Sequence, residues 1–274
     1  MSDRQAIESE SATRSALSWP RLIATLNEPR VLGWIAVAVV LIGWELGVIV
    51  AELNPIYLPR PTLIVVSLVD MFHTGGLTTD LLATLGRIFG GFTFAVLGGV
   101  LLGVWMATSE RVYAIADNFI AALYPLPKVT LIPLLIIWLG TGGPFMLTIS
   151  GLGAIFPIVI NTVLGIRQSD PGLILAARDL GANKRQIVRK VLLPSAIPSI
   201  FAGMRLGLGV SIILVVAAEM LVGRVGLGSR LYLAGQVLDT EQAFAVLIVL
   251  ATLGILVTKI QDAIDVSLSR WRID

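Results

Sequence analysis

The chain has 274 residues, 56% hydrophobic and 14% charged, with a net charge of +2, one histidine and no cysteine. Soluble domains run near 45–50% apolar, glycine included, and about 25% charged, and a soluble fold of this size has too little interior to hide so much apolar side chain. Disorder, disulfide scaffolds, zinc fingers, cysteine chemistry and histidine-rich metal sites are thereby excluded, the small net charge does not suggest a nucleic-acid binder, and the mean hydropathy of +0.89 calls for lipid as the solvent.

Residues 1–30 read as a polar tail with no apolar core next to Met1, so no cleavable secretory signal is expected. Residues 31–50 carry one charge, Glu45, expected to meet a neighbouring helix. Their length suits a hydrocarbon core of ~30 Å at ~1.5 Å per residue. Residues 54–80, with Pro55, Pro59 and Pro61, read as a loop with one interfacial helix, and residues 88–108 as a glycine-rich second span.

Residues 113–140 are long for one span and contain Pro125, Pro127, Lys128 and Pro133. Proline removes a backbone donor and kinks a helix. In lipid such a break survives only where protein or a wet cavity satisfies the freed groups, so this segment is expected inside a bundle. Residues 145–166 are the fourth span, 167–193 a basic connection, 197–222 a fifth span with Arg205 and Glu219, 223–242 a glycine-bearing loop and 243–260 the sixth span. The fold class is all-α: a polytopic membrane protein with six transmembrane helices. Gly86/Gly90, Gly99/Gly103 and Gly203/Gly207 have the spacing of close helix packing.

Six spans put both termini on one side, and excess Lys and Arg mark the cytoplasmic side. Fourteen of the twenty basic residues fall on the side of the termini: Arg4, Arg14, Arg21, Arg30, Arg111, Arg167, Arg178, Lys184, Arg185, Arg189, Lys190, Lys259, Arg270 and Arg272. Both termini and the 167–193 connection are therefore expected in the cytoplasm.

That connection carries the most information. Asp170 before Pro171 is a helix start. Leu173, Ala176, Ala177 and Leu180 recur at helical spacing, Gly181 suits a left-handed stop, and Asn183 suits the cap of a second helix that Pro194 would close. Two readings fit this helix–turn–helix: a loop whose basic residues only fix topology, or a rigid element, with small residues on one face, that docks in a partner's groove.

Ala176 and Ala177, Gly181 four positions on, and Val191, Leu192, Leu193 and Pro194 resemble the cytoplasmic loop of ABC importer permeases, with Leu175 where that family usually has glutamate. The run from Leu126 to Gly142, Ala218 and Glu219, and Gly226 to Gly228 are similar to its nitrate/sulfonate/taurine/bicarbonate branch. The resemblance implies a type I ABC importer permease (MetI-like) bundle with a cytoplasmic tail 1–30, a first transmembrane helix 31–50, a permease core 58–263 with the coupling loop 167–195, and a cytoplasmic tail 264–274. It also implies a plasma (bacterial inner) membrane location. Its implied partners are a second copy of the permease, two cytoplasmic ATP-binding subunits and an extracytoplasmic substrate-binding protein. ATP and Mg would sit on the ATPase subunits, with no cofactor, catalytic group or metal on this chain. No Gly-x4-Gly-Lys-Ser/Thr phosphate loop is present, which fits that division of labour.

The implied coupling residues are Leu173, Ala176, Ala177, Leu180, Gly181, Asn183, Leu193 and Pro194. Ionisable groups within spans are costly and functional by default, so Lys128, Arg205 and Glu219, with Pro125 and Pro127, are the translocation-pathway candidates. Lys128 equally suits snorkelling to an interface, Arg205 also suits pairing with an acid or phospholipid near the cytoplasmic side, and Glu219 also suits bracing of Gly226 and Gly228. The expected cargo is a small anion such as a sulfonate, taurine, nitrate or bicarbonate. The competing reading is a stand-alone ion-coupled carrier or channel, which leaves the loop unexplained.

Overall fold

In lipid every backbone donor and acceptor must be satisfied within its own segment, and the apolar runs accordingly fold as helices. A computed structural model of the chain describes residues 29–73 and 75–268. The N-terminal tail with Arg4, Arg14 and Arg21, and the end of the C-terminal tail with Arg270 and Arg272, lie outside the described residues.

The chain divides into two compact units, 1–65 and 66–274. The first holds α1 (Pro29–Val50) and the start of α2 (Pro61–His73). Glu45 of α1 accepts from the Thr62 backbone N–H at 3.1 Å and from Thr62 Oγ1 at 2.9 Å, capping the first turn of α2.

The second unit continues with α3 (Leu77–Thr108), α4 (Glu110–Leu123), a 3-10 turn (Lys128–Leu131), α5 (Ile132–Leu139) and α6 (Gly143–Arg167). Then come α7 (Pro171–Asp179), α8 (Lys184–Ile187), a π turn (Val188–Leu192), α9 (Leu193–Val222), α10 (Leu227–Gln236) and α11 (Thr240–Leu268). Five helical stretches are long and apolar enough to cross a membrane, and six if α4 and the segment through α5 count as one span bent by 90°.

Helix α6 is the axis, packed against α3 and α9. Small residues set that approach: a Cβ on Gly99 would stand 2.9 Å from Ile158, one on Gly103 2.6 Å from Thr162, and one on Gly207 2.9 Å from the Ala154 backbone. Gly203 is equally close to Asn161, whereas Gly86 faces open space. Hydroxyls tie the same three helices: Ser150 donates to the Ile88 carbonyl (2.8 Å) and Ser211 to the Ser150 carbonyl (2.7 Å). Phe145, Met146 and Ile149 of α6, Ile132 and Leu135 of α5, and Leu214 and Ala218 of α9 form one apolar core.

Three expectations change. The second span starts at Leu77, not 88, because the charges on its first turns find opposite charges elsewhere in the fold and do not end the helix. The 223–242 stretch contains α10 and is not simply a loop. Pro194 does not close the helix that Asn183 starts: the chain runs on helically from Lys184 to Val222. Pro194 has no N–H to give and its ring crowds the carbonyl one turn back. The preceding turn widens, and the Leu193 N–H reaches the Val188 carbonyl five residues earlier.

Candidate functional site

The loop between α6 and α9 is built from local caps. Asp170 accepts from the Gly172 N–H at 2.7 Å, starting α7. At its end the Gly181 N–H donates to Arg178 O (2.8 Å) and the Ala182 N–H to Ala177 O (2.9 Å), with Gly181 at φ +80°. That bond pair is a Schellman stop, which needs a left-handed residue where glycine sits at least cost. Asn183 then opens α8 in a reciprocal capping box: its Oδ1 accepts from the Gln186 N–H (3.0 Å), and Gln186 Oε1 accepts from the Asn183 N–H (2.8 Å).

The loop residues are not equivalent. Leu173, Ala176 and Leu180 are exposed, with Leu180 at 88%, and Ala177 is half-buried. Gly181 and Asn183 form the turn between α7 and α8, while Leu193 and Pro194 lie in the first turn of α9. Two residues missed in the sequence close the neck: Ser169 and Ser195 share a hydroxyl–hydroxyl bond of 2.6 Å, and Ser195 also bonds Leu192 O at 2.9 Å. The loop thus leaves and re-enters the bundle through one tied point. Serines are too common for that pairing to be read from spacing alone.

Pro125, Pro127 and Lys128 occupy the break between α4 and α5, where the chain turns by 90°. The Lys128 ammonium donates to the Tyr124 carbonyl at 2.7 Å, completing the exposed end of α4. It also lies 5.2 Å from the Tyr124 ring centroid and 5.1 Å from that of Phe156. Phe156 falls midway along α6, so this cation stands half-buried beside the middle of that helix, and residues 121–130 around it are otherwise exposed, not enclosed by the bundle as the prolines suggested. Among the described residues Lys128 has no ion pair.

Arg205 and Glu219 are not gathered with each other. They lie about 21 Å apart along α9 at ~1.5 Å per residue. Arg205 pairs with Asp262 of α11. Glu219 has no exposed surface and accepts from Arg87 (2.5 Å), Thr84 Oγ1 (3.0 Å) and the Gly228 N–H (2.9 Å). Asp80, one turn before Thr84, accepts from Arg230 (2.5 Å) and the Gly226 N–H (2.8 Å). A polar knot therefore joins the first turns of α3, the end of α9 and the start of α10. At Gly226, φ is +131° and a Cβ would meet the Glu219 carboxylate at 2.5 Å, so that corner admits only glycine. The braced Gly226 and Gly228 agree with one reading of Glu219; Thr84 and Arg87 are its unforeseen partners, and the Asp80–Arg230 pair lies beside them in the same knot.

Among the described residues no group of three or more His, Asp or Glu side chains is placed to hold a metal. Residues 99–270 match the family of binding-protein-dependent transport system inner membrane components. The chain is 31% identical over 239 residues to the taurine transport system permease protein of Escherichia coli (strain K12), covering 85% of this chain and 87% of that one. It is 32% identical over 237 residues to the riboflavin transport system permease protein of Chloroflexus aurantiacus, covering 86% and 88%. A chain of the methionine ABC transporter MetNI, solved in inward-facing conformations, matches with a TM-score of 0.60 and 26% identity, covering 68% of this chain and 92% of that chain.

Proposed function

This chain belongs to the family of binding-protein-dependent transport system inner membrane components, the integral-membrane permeases of ABC importers, and on that premise we propose that it forms the translocation pathway for a small anion of the sulfonate, taurine, nitrate or bicarbonate class. A substrate-binding protein delivers the cargo from outside. Two copies of the chain form the gate, two cytoplasmic ATP-binding subunits drive it, and ATP and Mg stay on those subunits. Both termini and the 167–195 loop face the cytoplasm.

The observation that carries this reading is the capped loop with its serine neck. A helix fixed by Asp170 at one end and by the Gly181 turn at the other moves as a body. The Ser169–Ser195 bond passes that movement to α6 and α9 together. Leu173, Ala176, Ala177, Leu180, Gly181 and Asn183 form the docking element, with Leu193 and Pro194 at its root. ATP-driven closure of the partner then shifts the bundle between two packed states, outward- and inward-open. The similarity to a taurine permease supports a sulfonate-like cargo, and Lys128 supports negative charge on it.

Gly181→Val tests the coupling. Nothing crowds a Cβ at Gly181, so the substitution acts through φ alone, and a β-branched residue strains the left-handed stop. The reconstituted transporter should keep hydrolysing ATP while cargo uptake falls. Normal coupled uptake in this variant would sink the docking role.

A further inference from the structure

Beneath the exposed tip of the loop, where α3 ends and the helix through α8 and the π turn begins, lies a cavity of about 590 Å³. Its floor is apolar, from Ile174 and Leu192, beside Thr108 of α3; its wall is basic, from Arg178, Lys184 and Arg185. None of these three cations forms an ion pair among the described residues. The volume is that of a small-molecule site, and the docking reading does not use it.

The two sides of α7 differ chemically. Leu173 and Leu180, seven residues apart and so on one face, stand 55% and 88% exposed, an apolar surface a protein groove would cover. Ile174 and Arg178, four residues apart and so on one helical face, line the cavity instead. Thr108 is the last residue of a helix long and apolar enough to cross a membrane, so the cavity lies where that helix ends, the region in which a spanning helix leaves the hydrocarbon core for the headgroups. An unpaired basic wall over an apolar floor at that level matches a phosphodiester with acyl chains below it. Guanidinium and ammonium groups are the usual donors to phosphate oxygens.

We propose that this cavity binds the headgroup of an anionic phospholipid, whose phosphate bridges Arg178 of α7 to Lys184 and Arg185 of α8. The bound lipid clamps the two halves of the loop to each other and to the end of α3. Occupancy requires only that α3 and the α8–α9 helix meet the membrane surface. It holds whether or not the loop couples to an ATPase.

The test uses the assembled transporter in vesicles of mixed phosphatidylcholine and phosphatidylglycerol, without ATP. The vesicles are doped in turn with headgroup-proximal photoreactive forms of each lipid, and labelled peptides are mapped. Segment 171–192 should label more strongly with the phosphatidylglycerol probe, by about fivefold for each contributing cation. Lys184→Gln/Arg185→Gln should bring it down towards the phosphatidylcholine level, and Lys184→Arg/Arg185→Lys should restore it. Labelling of α11 should stay constant throughout, which shows that the variants fold. Equal labelling by both lipids would overturn the proposal. So would competition by inorganic phosphate, which would mean a free-anion site. Absence of lipid from segment 171–192 while α11 still labels would also overturn it, because the cavity would then be filled by a partner subunit.

Discussion

Glu219 takes its charge into a place with no water, and three donors from two helices, α3 and α10, face its carboxylate. Removing one member of such a pair leaves the other uncompensated, which costs more than the pair itself contributes. Glu219→Ala should therefore lower stability by about 3 kcal/mol, whereas Arg87→Met/Glu219→Met should cost less than the single change; thermal melting in detergent measures both. Lys128 makes the opposite case, a cation whose partners are carbonyls and ring faces. An ammonium–anion hydrogen bond is worth roughly 1.5–3 kcal/mol. Lys128→Met should then weaken uptake of an anionic cargo by about 10- to 100-fold, with Lys128→Arg largely retaining it. Uptake assays across anionic and neutral solutes decide the matter; an equal fall for both would assign Lys128 to structure alone.

Among the elements, the π turn at the root of the loop has the clearest cause and the clearest consequence. Pro194 is the reason the Val188–Leu192 turn is wide. A proline within a helix costs about 3 kcal/mol relative to alanine, so Pro194→Ala should raise the melting temperature by restoring a donor. Each residue added to or removed from a helix turns everything before it by ~100°. Regularising the wide turn should consequently re-aim α8 and the docking loop. The expected signature is a more stable transporter with poorer uptake per ATP hydrolysed; unchanged coupling with increased stability would make the wide turn a passive adjustment.

For the whole molecule, the basic residues predict which side each connection faces. The chain has no cysteine, so single introduced cysteines report without background. Lys184 and Val237 are both exposed, Val237 at 74%; Lys184 starts the helix that runs to Val222, and Val237 follows α10 beyond its other end. Lys184→Cys should react only from the cytoplasmic side of oriented vesicles and Val237→Cys only from the other. Reaction of both from one side would invalidate the topology and, with it, the cytoplasmic docking loop.

What the sequence by itself determined was whatever acts over a few residues or through composition. Lipid as solvent followed from apolar content, and the loop's start, stop and restart followed from Asp170, Gly181 and Asn183, because a cap bonds groups two to five residues away. The tertiary structure decided everything that depends on a distant partner. Arg87 meets Glu219 across 132 positions and Arg230 meets Asp80 across 150; in the linear chain Asp80 and Arg87 lay outside or beside the second span, and paired with those distant charges they let α3 continue through them. The serine neck and the basic cavity are of the same kind. No local pattern announces them, because each side chain is ordinary until the bundle brings its counterpart into reach.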